Sequence, residues 1–201
     1  METIILASAS PRRQEYFRLL RLPFEVIPSP IDEILNERLE PRKAVEELAV
    51  QKVSSVRELC RNRERPWIFG ADTIVLLNGQ IYGKPDDREH ARLMLSSLQG
   101  QSHEVITAIA LFHGETGALD CQSVLSTVSF APMTGEEIEF YLESDEWQGA
   151  AGSYRIQGLA SCFITAIQGS FSSIVGLPIR EFYVMLKKNN YFSTKLKHPS
   201  R

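Results

Sequence analysis

The chain has few cysteines and no long apolar run. Its 201 residues include only Cys60, Cys121 and Cys162, which lie far apart and form no CxxC pair. This usage is typical of reduced thiols and gives no cysteine-based zinc site. The apolar run in METIILASASP is too short for a signal peptide and has no basic region before it. Since no stretch reaches the length of a membrane span, we expect a cytoplasmic protein with no membrane partner.

Positive charge is not in excess either. The net charge is −3 and the pI is near 5.9, which argues against a dedicated nucleic-acid binder. The sequence also lacks GxxxxGK[ST], so it carries no P-loop. Hydrophobic residues make up 43% of the chain, as in an ordinary soluble globular protein. We therefore expect a single domain over residues 1–190 and a polar tail over residues 191–201.

Strands and helices are mixed along the chain. Apolar periodicity and turn signals predict strands near residues 3–8, 24–28, 67–77, 80–83, 103–113, 121–132 and 159–170, and helices near residues 10–20, 40–61, 86–98, 135–144 and 178–188. Asn-Gly at residues 78–79 is a strong hairpin signal. Asp86 with Glu89, and Thr134 with Glu137, form capping boxes. This order predicts a mixed α/β sheet rather than a purely alternating doubly wound fold.

Two arginines occupy an unusual place near the start of the chain. In LASASPRRQEYF, Ser10 is a good N-cap and Pro11 suits the first helical position, so Arg12 and Arg13 fall in the first turn. Cations there are disfavoured by roughly a few tenths of a kcal/mol, because a helix N-terminus carries partial positive charge. Serine hydroxyls, including that of Ser8, would join them around a bound phosphate. The alternative is two solvated surface arginines, and this stretch alone favours neither interpretation.

An acidic residue interrupts the apolar stretch GADTIV. Asp72 would be partly buried in a strand, where a carboxylate needs a cation partner or a metal. One interpretation is a structural ion pair with Lys52 or Lys84. The other is a ligand for a hard divalent cation, with Glu33 as a second oxygen donor. Carboxylates together with several cations suit a phosphate chain and its metal.

Three further polar residues have ordinary interpretations. Lys52 lies in a predicted helix, where a solvated lysine is expected. His103 is expected to be a structural hydrogen-bonding residue. Gln157 lies in the glycine-rich stretch GSYRIQG and can hydrogen-bond a base edge, because an amide offers both a donor and an acceptor. The residue type by itself favours the alternative, in which Gln157 pins its own loop to the backbone.

Four long stretches, taken together, are far more specific than a short glycine motif. They are LASASPRRQE, GADTIV, GKPDDREHARLMLSSLQGQSHEVITAIAL and AGSYRIQG…GSFSSIVGLP, and they run in order from about Ile4 to Leu186. They resemble the Maf family of nucleoside triphosphate pyrophosphatases. The resemblance implies an elongated, mixed twisted sheet with flanking helices and two lobes around a central cleft, as in inosine triphosphatases. It also implies hydrolysis of nucleoside triphosphates to monophosphate and pyrophosphate with Mg²⁺ or Mn²⁺, clearance of non-canonical or excess nucleotides, and a homodimer, which is common in the family.

The same resemblance implies a role for each matching position. The phosphate-binding motif corresponds to Ser8, Ser10, Arg12 and Arg13. The proton acceptor corresponds to Asp72, the acidic residue of the loop after the second strand to Glu33, and the two lysines that face the phosphates to Lys52 and Lys84. We expect these four residues to be catalytic and the two carboxylates to hold the metal. The positions tied to substrate choice correspond to Arg12, Thr73 and Gln157. This set resembles the subfamily that prefers dTTP and UTP to 7-methyl-GTP.

The chain departs from the family pattern at Ala150, where a lysine usually precedes the YxIQG motif. Losing one charge-assisted contact to phosphate costs about 1.5–3 kcal/mol, which weakens turnover without excluding it. This departure favours an alternative function, a nucleotide-binding regulator of cell division and septum formation with weak or no turnover. The carboxylates Glu33 and Asp72 favour the enzyme, because binding alone does not require a carboxylate pair with a metal.

Overall fold

The computed structural model describes residues 1–36 and 38–192. The strands are β1 (Ile4–Leu6), β2 (Phe24–Val26), β3 (Trp67–Leu77), β4 (Gln80–Tyr82), β5 (Ser102–His113), β6 (Ala118–Phe130) and β7 (Ile164–Gln168). The α-helices are α1 (Pro11–Leu19), α2 (Pro41–Leu59), α3 (Arg88–Leu98), α4 (Gly135–Leu142), α5 (Phe171–Val175) and α6 (Ile179–Lys188). None of these helices combines the length and the apolar character that crossing a bilayer requires.

The strands form one mixed seven-stranded sheet. Their order is β2-β1-β3-β5-β6-β7, and β4 pairs with β3. Strand β1 pairs parallel with β2 and with β3, whereas the β3–β4 and β6–β7 pairs are antiparallel. The predicted mixed α/β class is therefore confirmed.

The chain divides into two compact units made of separate stretches. Unit 1 comprises Met1–Asp72, Ala108–Ser123 and the stretch from Gly176 onward, and unit 2 comprises Thr73–Thr107 and Val124–Val175. Strands β3, β5 and β6 contribute residues to both units. The boundary within β3 falls between Asp72 and Thr73, two residues to which the sequence assigns different roles. A single domain over residues 1–190 stays a prediction.

The core of unit 1 is an aromatic and aliphatic cluster centred on Phe17 of α1. Its ring centroid lies 5.4 Å from that of Phe24, 5.5 Å from that of Phe69 and 5.3 Å from that of Phe182. Strand β1 is buried along its whole length, as expected for a short strand with a parallel neighbour on each side. This cluster fixes α1 against β1 and β3, and so positions the first turn of α1.

The polar tail predicted over residues 191–201 begins too early. Tyr191 is buried in the core cluster of unit 1, and its hydroxyl donates a hydrogen bond to the carbonyl of Glu2. Phe192 packs against the same cluster. These two aromatic residues pack against the apolar core of unit 1. The sequence does not indicate this packing, because the residues around them are polar. The rest of the predicted tail, residues 193–201, lies outside the described residues.

Local turn chemistry in unit 2 follows the sequence closely at two places. Asn78 and Gly79 have φ values of 51° and 81°, as a tight hairpin turn requires. The capping box at Thr134 and Glu137 forms with both of its hydrogen bonds. At the start of α3, however, Asp87 rather than Asp86 is the N-cap and accepts a hydrogen bond from the His90 amide. The side chain of either aspartate can accept this hydrogen bond. Asp87 is the one with the extended backbone that an N-cap needs.

The segment after the glycine-rich loop is less extended than predicted. Residues 159–163 form a 3-10 helix, so the predicted strand over 159–170 begins only at Ile164. The stretch between this strand and the last predicted helix forms α5. Ser170 explains this start, because its hydroxyl accepts a hydrogen bond from the Ser173 amide, three residues further on.

His103 is a buried structural residue, as the sequence predicts. Its Nε2 lies 2.8 Å from the hydroxyl of Tyr154, and its ring packs near Phe130. Burial lowers the pKa of His103 from 6.5 to about 4, so the imidazole is neutral in the folded protein near pH 7. The unfolded chain binds this proton more tightly than the folded chain does.

We therefore expect the folded protein to lose stability as the pH falls from 6.5 towards 4. The stability due to neutral His103 is complete above pH 6.5, and about 2 kcal/mol of it is lost by pH 5. Urea unfolding at pH 8 and pH 5 measures this loss. His103→Gln should have a lower free energy of unfolding than the wild type at pH 8. That free energy should fall less between pH 8 and pH 5 than it does in the wild type. An equal loss in both proteins would contradict the assignment.

Candidate active site

Lys52 lies at the centre of a buried charged cluster in unit 1. Its Nζ is 2.5 Å from Asp72 Oδ1 and 2.7 Å from Glu33 Oε1, and its side chain is 4% exposed. The expectation of a solvated lysine is therefore wrong. The structural ion pair considered for Asp72 is present, with Lys52 as its cation. One ammonium group holds two carboxylates from different parts of the chain.

A glycine allows α2 to bring Lys52 to strand β3. A Cβ atom at Gly70 would lie 2.8 Å from Val53 Cγ2 and 2.9 Å from the Ala49 carbonyl oxygen, which is too close for any larger residue. With hydrogen at this position, the buried face of α2 packs directly against the strand. Lys52 lies on that face, so its chain reaches Asp72, two residues beyond Gly70.

Arg13 is a second buried cation in unit 1. Its Nε donates to the Gly176 carbonyl at 2.9 Å, and its Nη1 donates to Ser8 Oγ at 2.9 Å. Burial lowers the pKa of Arg13, while the negative charges of Asp72 and Glu33 act in the opposite direction. The guanidinium group thus lies in the field of both carboxylates. The solvated-arginine alternative is wrong for Arg13.

The start of α1 offers backbone N–H groups without a side-chain cap. Ser10 occupies the N-cap position, but its side chain makes no capping hydrogen bond, and the first turn contains no acidic residue. Instead, the Ser10 amide donates to Ser8 Oγ at 3.3 Å. Ser8 accepts a further bond from Arg13, so its own hydroxyl proton is what it can offer to a ligand. Half-buried Arg12 lies in the same first turn, and this combination suits an anion.

The remaining predicted site residues belong to unit 2. Thr73 is half-buried on β3, Lys84 is exposed just after β4, and Gln157 is exposed in the glycine-rich loop. Other groups hold that loop: the Arg155 amide donates to the Tyr141 hydroxyl at 3.1 Å, for example. The loop is thus held at least in part by residues other than Gln157.

The comparisons with known proteins identify the family. The model of the family described as Maf-like protein matches residues 3–189. The chain belongs to the Maf-like family. A relative from Desulforamulus reducens, named dTTP/UTP pyrophosphatase, is 46% identical over 89% of this chain and 92% of its own length. A relative of the same name from Escherichia coli K12 is 41% identical over 97% of each chain. The solved Ham1 protein of Staphylococcus aureus has a TM-score of 0.46 and 16% identity, over 65% of this chain and 72% of its own.

The two carboxylates of this Maf-like protein fit a cation that arrives with its substrate. Among residues 1–36 and 38–192, no group of three or more His, Cys, Asp or Glu side chains is placed to bind a metal. Glu33 and Asp72 nevertheless approach one cation, the Lys52 ammonium, each through a single oxygen. Mg²⁺ is typically held by one or two carboxylates together with waters and substrate phosphates. Glu33 and Asp72 can supply those one or two carboxylates.

Ala150, the departure from the family pattern, is a packing residue. Its side chain is buried within unit 2, directly before the 3-10 turn over residues 151–153. The next glycine, Gly152, has φ 66° and lies so close to Val75 that a Cβ atom would be 2.9 Å from Val75 Cγ2. The segment is therefore tightly packed at the position where the resemblance implies a lysine.

Removing the Lys52 ammonium should leave the carboxylate of Asp72 without its cation. We expect Lys52→Met to lower the free energy of unfolding by about 3 kcal/mol, because an unpaired buried charge is costly. Urea unfolding at pH 7.5 measures the loss. Adding Asp72→Asn to that variant should recover part of it.

The matched control for this experiment is Arg63→Met, which removes the cation of the exposed ion pair with Glu25. Exposed pairs contribute little, so this variant should stay close to the wild type. Equal losses in the two variants would contradict a special role for Lys52.

Proposed function

We propose that this protein hydrolyses dTTP and UTP to the nucleoside monophosphate and pyrophosphate. The observation that supports this most is the buried cluster in which Lys52 joins Glu33 and Asp72. Binding of a nucleotide does not by itself require a carboxylate pair with a metal, so this pair favours the enzyme. Relatives that match most of this chain are named for the same activity, which supports the substrate pair.

Binding of the triphosphate rests on cations and donors around the start of α1. Arg13 is held rigidly by Gly176 and Ser8, so little side-chain freedom is lost when a phosphate binds. Arg12, the Ser8 hydroxyl and the first N–H groups of α1 add further donors. We assign Lys84 to the same task, as a cation for the phosphate chain. Together these groups compensate the charge of the substrate and of the departing pyrophosphate.

Asp72 is the group we assign as proton acceptor for the attacking water. Its Oδ1 is engaged by Lys52, which fixes the carboxylate and leaves Oδ2 as the oxygen offered to water. The water attacks the α-phosphorus, the bond to the bridging oxygen breaks, and pyrophosphate leaves. Glu33 is held by the same ammonium group and is more exposed, so it can adjust when substrate binds.

A divalent metal completes the proposal. Glu33 and Asp72 would hold Mg²⁺ or Mn²⁺ together with phosphate oxygens. When bound, the metal supplies charge neutralisation on the phosphates and makes water more acidic. Recognition of the base is assigned to Thr73 and Gln157, whose exposed amide can pair with a pyrimidine edge.

Asp72→Asn tests the role of the proton acceptor. We expect kcat for dTTP and UTP to fall by about 10²–10⁴-fold, because the amide cannot take a proton. The melting temperature should stay near that of the wild type, since asparagine can still accept a hydrogen bond from Lys52. Asp86→Asn, at an exposed carboxylate, is the control and should keep full activity. Full activity in Asp72→Asn would overturn the assignment.

Removal of divalent metal should abolish pyrophosphate release from dTTP. Excess EDTA is expected to stop turnover, and added Mg²⁺ or Mn²⁺ to restore it, because two carboxylates alone cannot balance the charge of the triphosphate. The melting temperature in EDTA should not change, since Lys52 occupies the place between the carboxylates in the free protein. Undiminished turnover after chelation would contradict the metal proposal.

A regulator that binds nucleotides without turnover remains the competing hypothesis, and Ala150 is the feature that favours it. If the missing lysine matters, the wild type should bind dTTP but hydrolyse it slowly, which calorimetric binding and pyrophosphate release measure separately. A normal rate for the wild type would remove the reason for this alternative.

A further inference from the structure

The loop that carries Glu33 lies along helix α2 and runs in the opposite direction. It joins β2 to α2 within unit 1. Three side-chain contacts attach it to the helix, and each later loop residue meets an earlier helix residue: Ser29 with Ser55, Glu33 with Lys52, and Asn36 with Glu47. The contacting atoms are 2.8, 2.7 and 3.4 Å apart, respectively. Glu33 thus makes the middle contact of a segment that is also attached on either side.

The hydrogen bond between the two serines has a fixed direction. Ser55 Oγ lies 2.9 Å from the carbonyl oxygen of Lys52, one turn earlier in α2, and a carbonyl only accepts. Ser55 therefore donates its single hydroxyl proton to Lys52, and Ser29 donates to Ser55. Both serines are half-buried, so water competes less for this bond than it would at the surface. The loop is thereby attached to the turn of α2 that begins at Lys52.

The backbone is stiff at this point of attachment. Ser29 lies between Pro28 and Pro30 in the stretch VIPSPIDE. A proline fixes its own φ and confines the residue before it to extended conformations. Attaching Ser29 to Ser55 therefore restricts the path of the chain that leads to Glu33, four residues further on.

The two carboxylates of the cluster differ in how the fold holds them. The Asp72 side chain is 11% exposed and lies on β3, so the sheet fixes its backbone. The Glu33 side chain is 38% exposed and lies on a loop. A loop keeps more conformational freedom than a strand, and an ion pair with an exposed partner restrains it only weakly. The attachment at Ser29 supplies part of the restraint that the sheet gives Asp72.

We propose that Ser29 and Ser55 are positioning residues for Glu33. By attaching the loop to α2, they hold the Glu33 carboxylate at the ammonium group that Asp72 also contacts. This inference rests on the proposed function, in which these two carboxylates bind Mg²⁺ or Mn²⁺. Neither serine is a catalytic residue, since both act through the loop. The Glu33 side chain can still turn towards a ligand, because the serine pair fastens the backbone before it.

The test breaks the serine pair and follows the response to metal. Ser29→Ala removes the donor of the pair, and Ser29→Thr keeps a hydroxyl at the same place. Pyrophosphate release from saturating dTTP is measured against the Mg²⁺ concentration. Direct binding of Mn²⁺ is measured by electron paramagnetic resonance, in the presence of a dTTP analogue with a methylene bridge between the α- and β-phosphates.

The matched control is Ser102→Ala, which removes a similar pair of hydroxyl groups. Ser102 Oγ lies 2.7 Å from Ser129 Oγ and joins β5 to β6 within unit 2. Neither serine of this control pair contacts the loop with Glu33.

We expect Ser29→Ala to raise the Mg²⁺ concentration at half-maximal rate, and the Kd for Mn²⁺, by about threefold to tenfold, the size of one hydrogen bond's contribution. The kcat at saturating Mg²⁺ should stay near that of the wild type, and Ser29→Thr and Ser102→Ala should match the wild type. In a Glu33→Gln protein, adding Ser29→Ala should change neither quantity, because no carboxylate is left to position. An unchanged Mg²⁺ response in Ser29→Ala, or an equal effect with and without Glu33→Gln, would overturn the proposal.

A measurement without ligand separates this proposal from the function on which it rests. If the wild type hydrolyses neither dTTP nor UTP, or needs no metal, the proposed function fails, and urea unfolding of the ligand-free protein decides the inference. Ser29→Ala and Glu33→Gln together should then lower the free energy of unfolding by less than the sum of their separate effects. Additive losses would overturn the proposal. Ser55→Ala breaks the same pair from the helix, and it replaces Ser29→Ala in every comparison if that variant does not fold.

Discussion

The site depends on the two ion pairs that the ammonium group of Lys52 makes. It is buried, so it must be paired, and it is paired with Asp72 and Glu33 at hydrogen-bonding distances. That requirement fixes α2 against β3 at Gly70 and draws the loop with Glu33 towards the strand. Two carboxylates are thereby held close together before any ligand arrives. The cost of burying these charges is understandable if the cluster is built for chemistry rather than for stability.

The parallel pairing of β1 and β3 brings the residues proposed to bind phosphate close to the carboxylate of Asp72. Leu6 is in register with Phe69, and the Ala7 amide donates to the Phe69 carbonyl at 2.8 Å, so β1 ends beside Phe69 while β3 continues past it. Ser8 follows one strand and Asp72 lies further along the other. The carboxyl ends of parallel strands are the usual place for a ligand in such sheets. Arg13, anchored on Gly176, then adds its cation from the first turn of α1.

The parts of this arrangement that depend on local sequence are predictable, and those that depend on packing are less so. The hairpin at residues 78–79 and the capping box of α4 follow from turn chemistry, and Asp72 is conspicuous as an acid within an apolar strand. The burial of Lys52 was also signalled, because it lies four residues after Leu48 on the apolar face of α2. Lysine generally prefers solvent, however, and this preference led the sequence-based interpretation to place Lys52 at the surface despite its spacing.

The most direct test of the account follows the oxygen of the attacking water. When dTTP is hydrolysed by the wild-type protein in ¹⁸O-labelled water, attack at the α-phosphorus places the label in dTMP and leaves the pyrophosphate unlabelled. That is the result expected if Asp72, held by Lys52, receives the proton of a water aimed at the α-phosphorus. Label in the pyrophosphate, or release of inorganic phosphate in its place, would contradict the account.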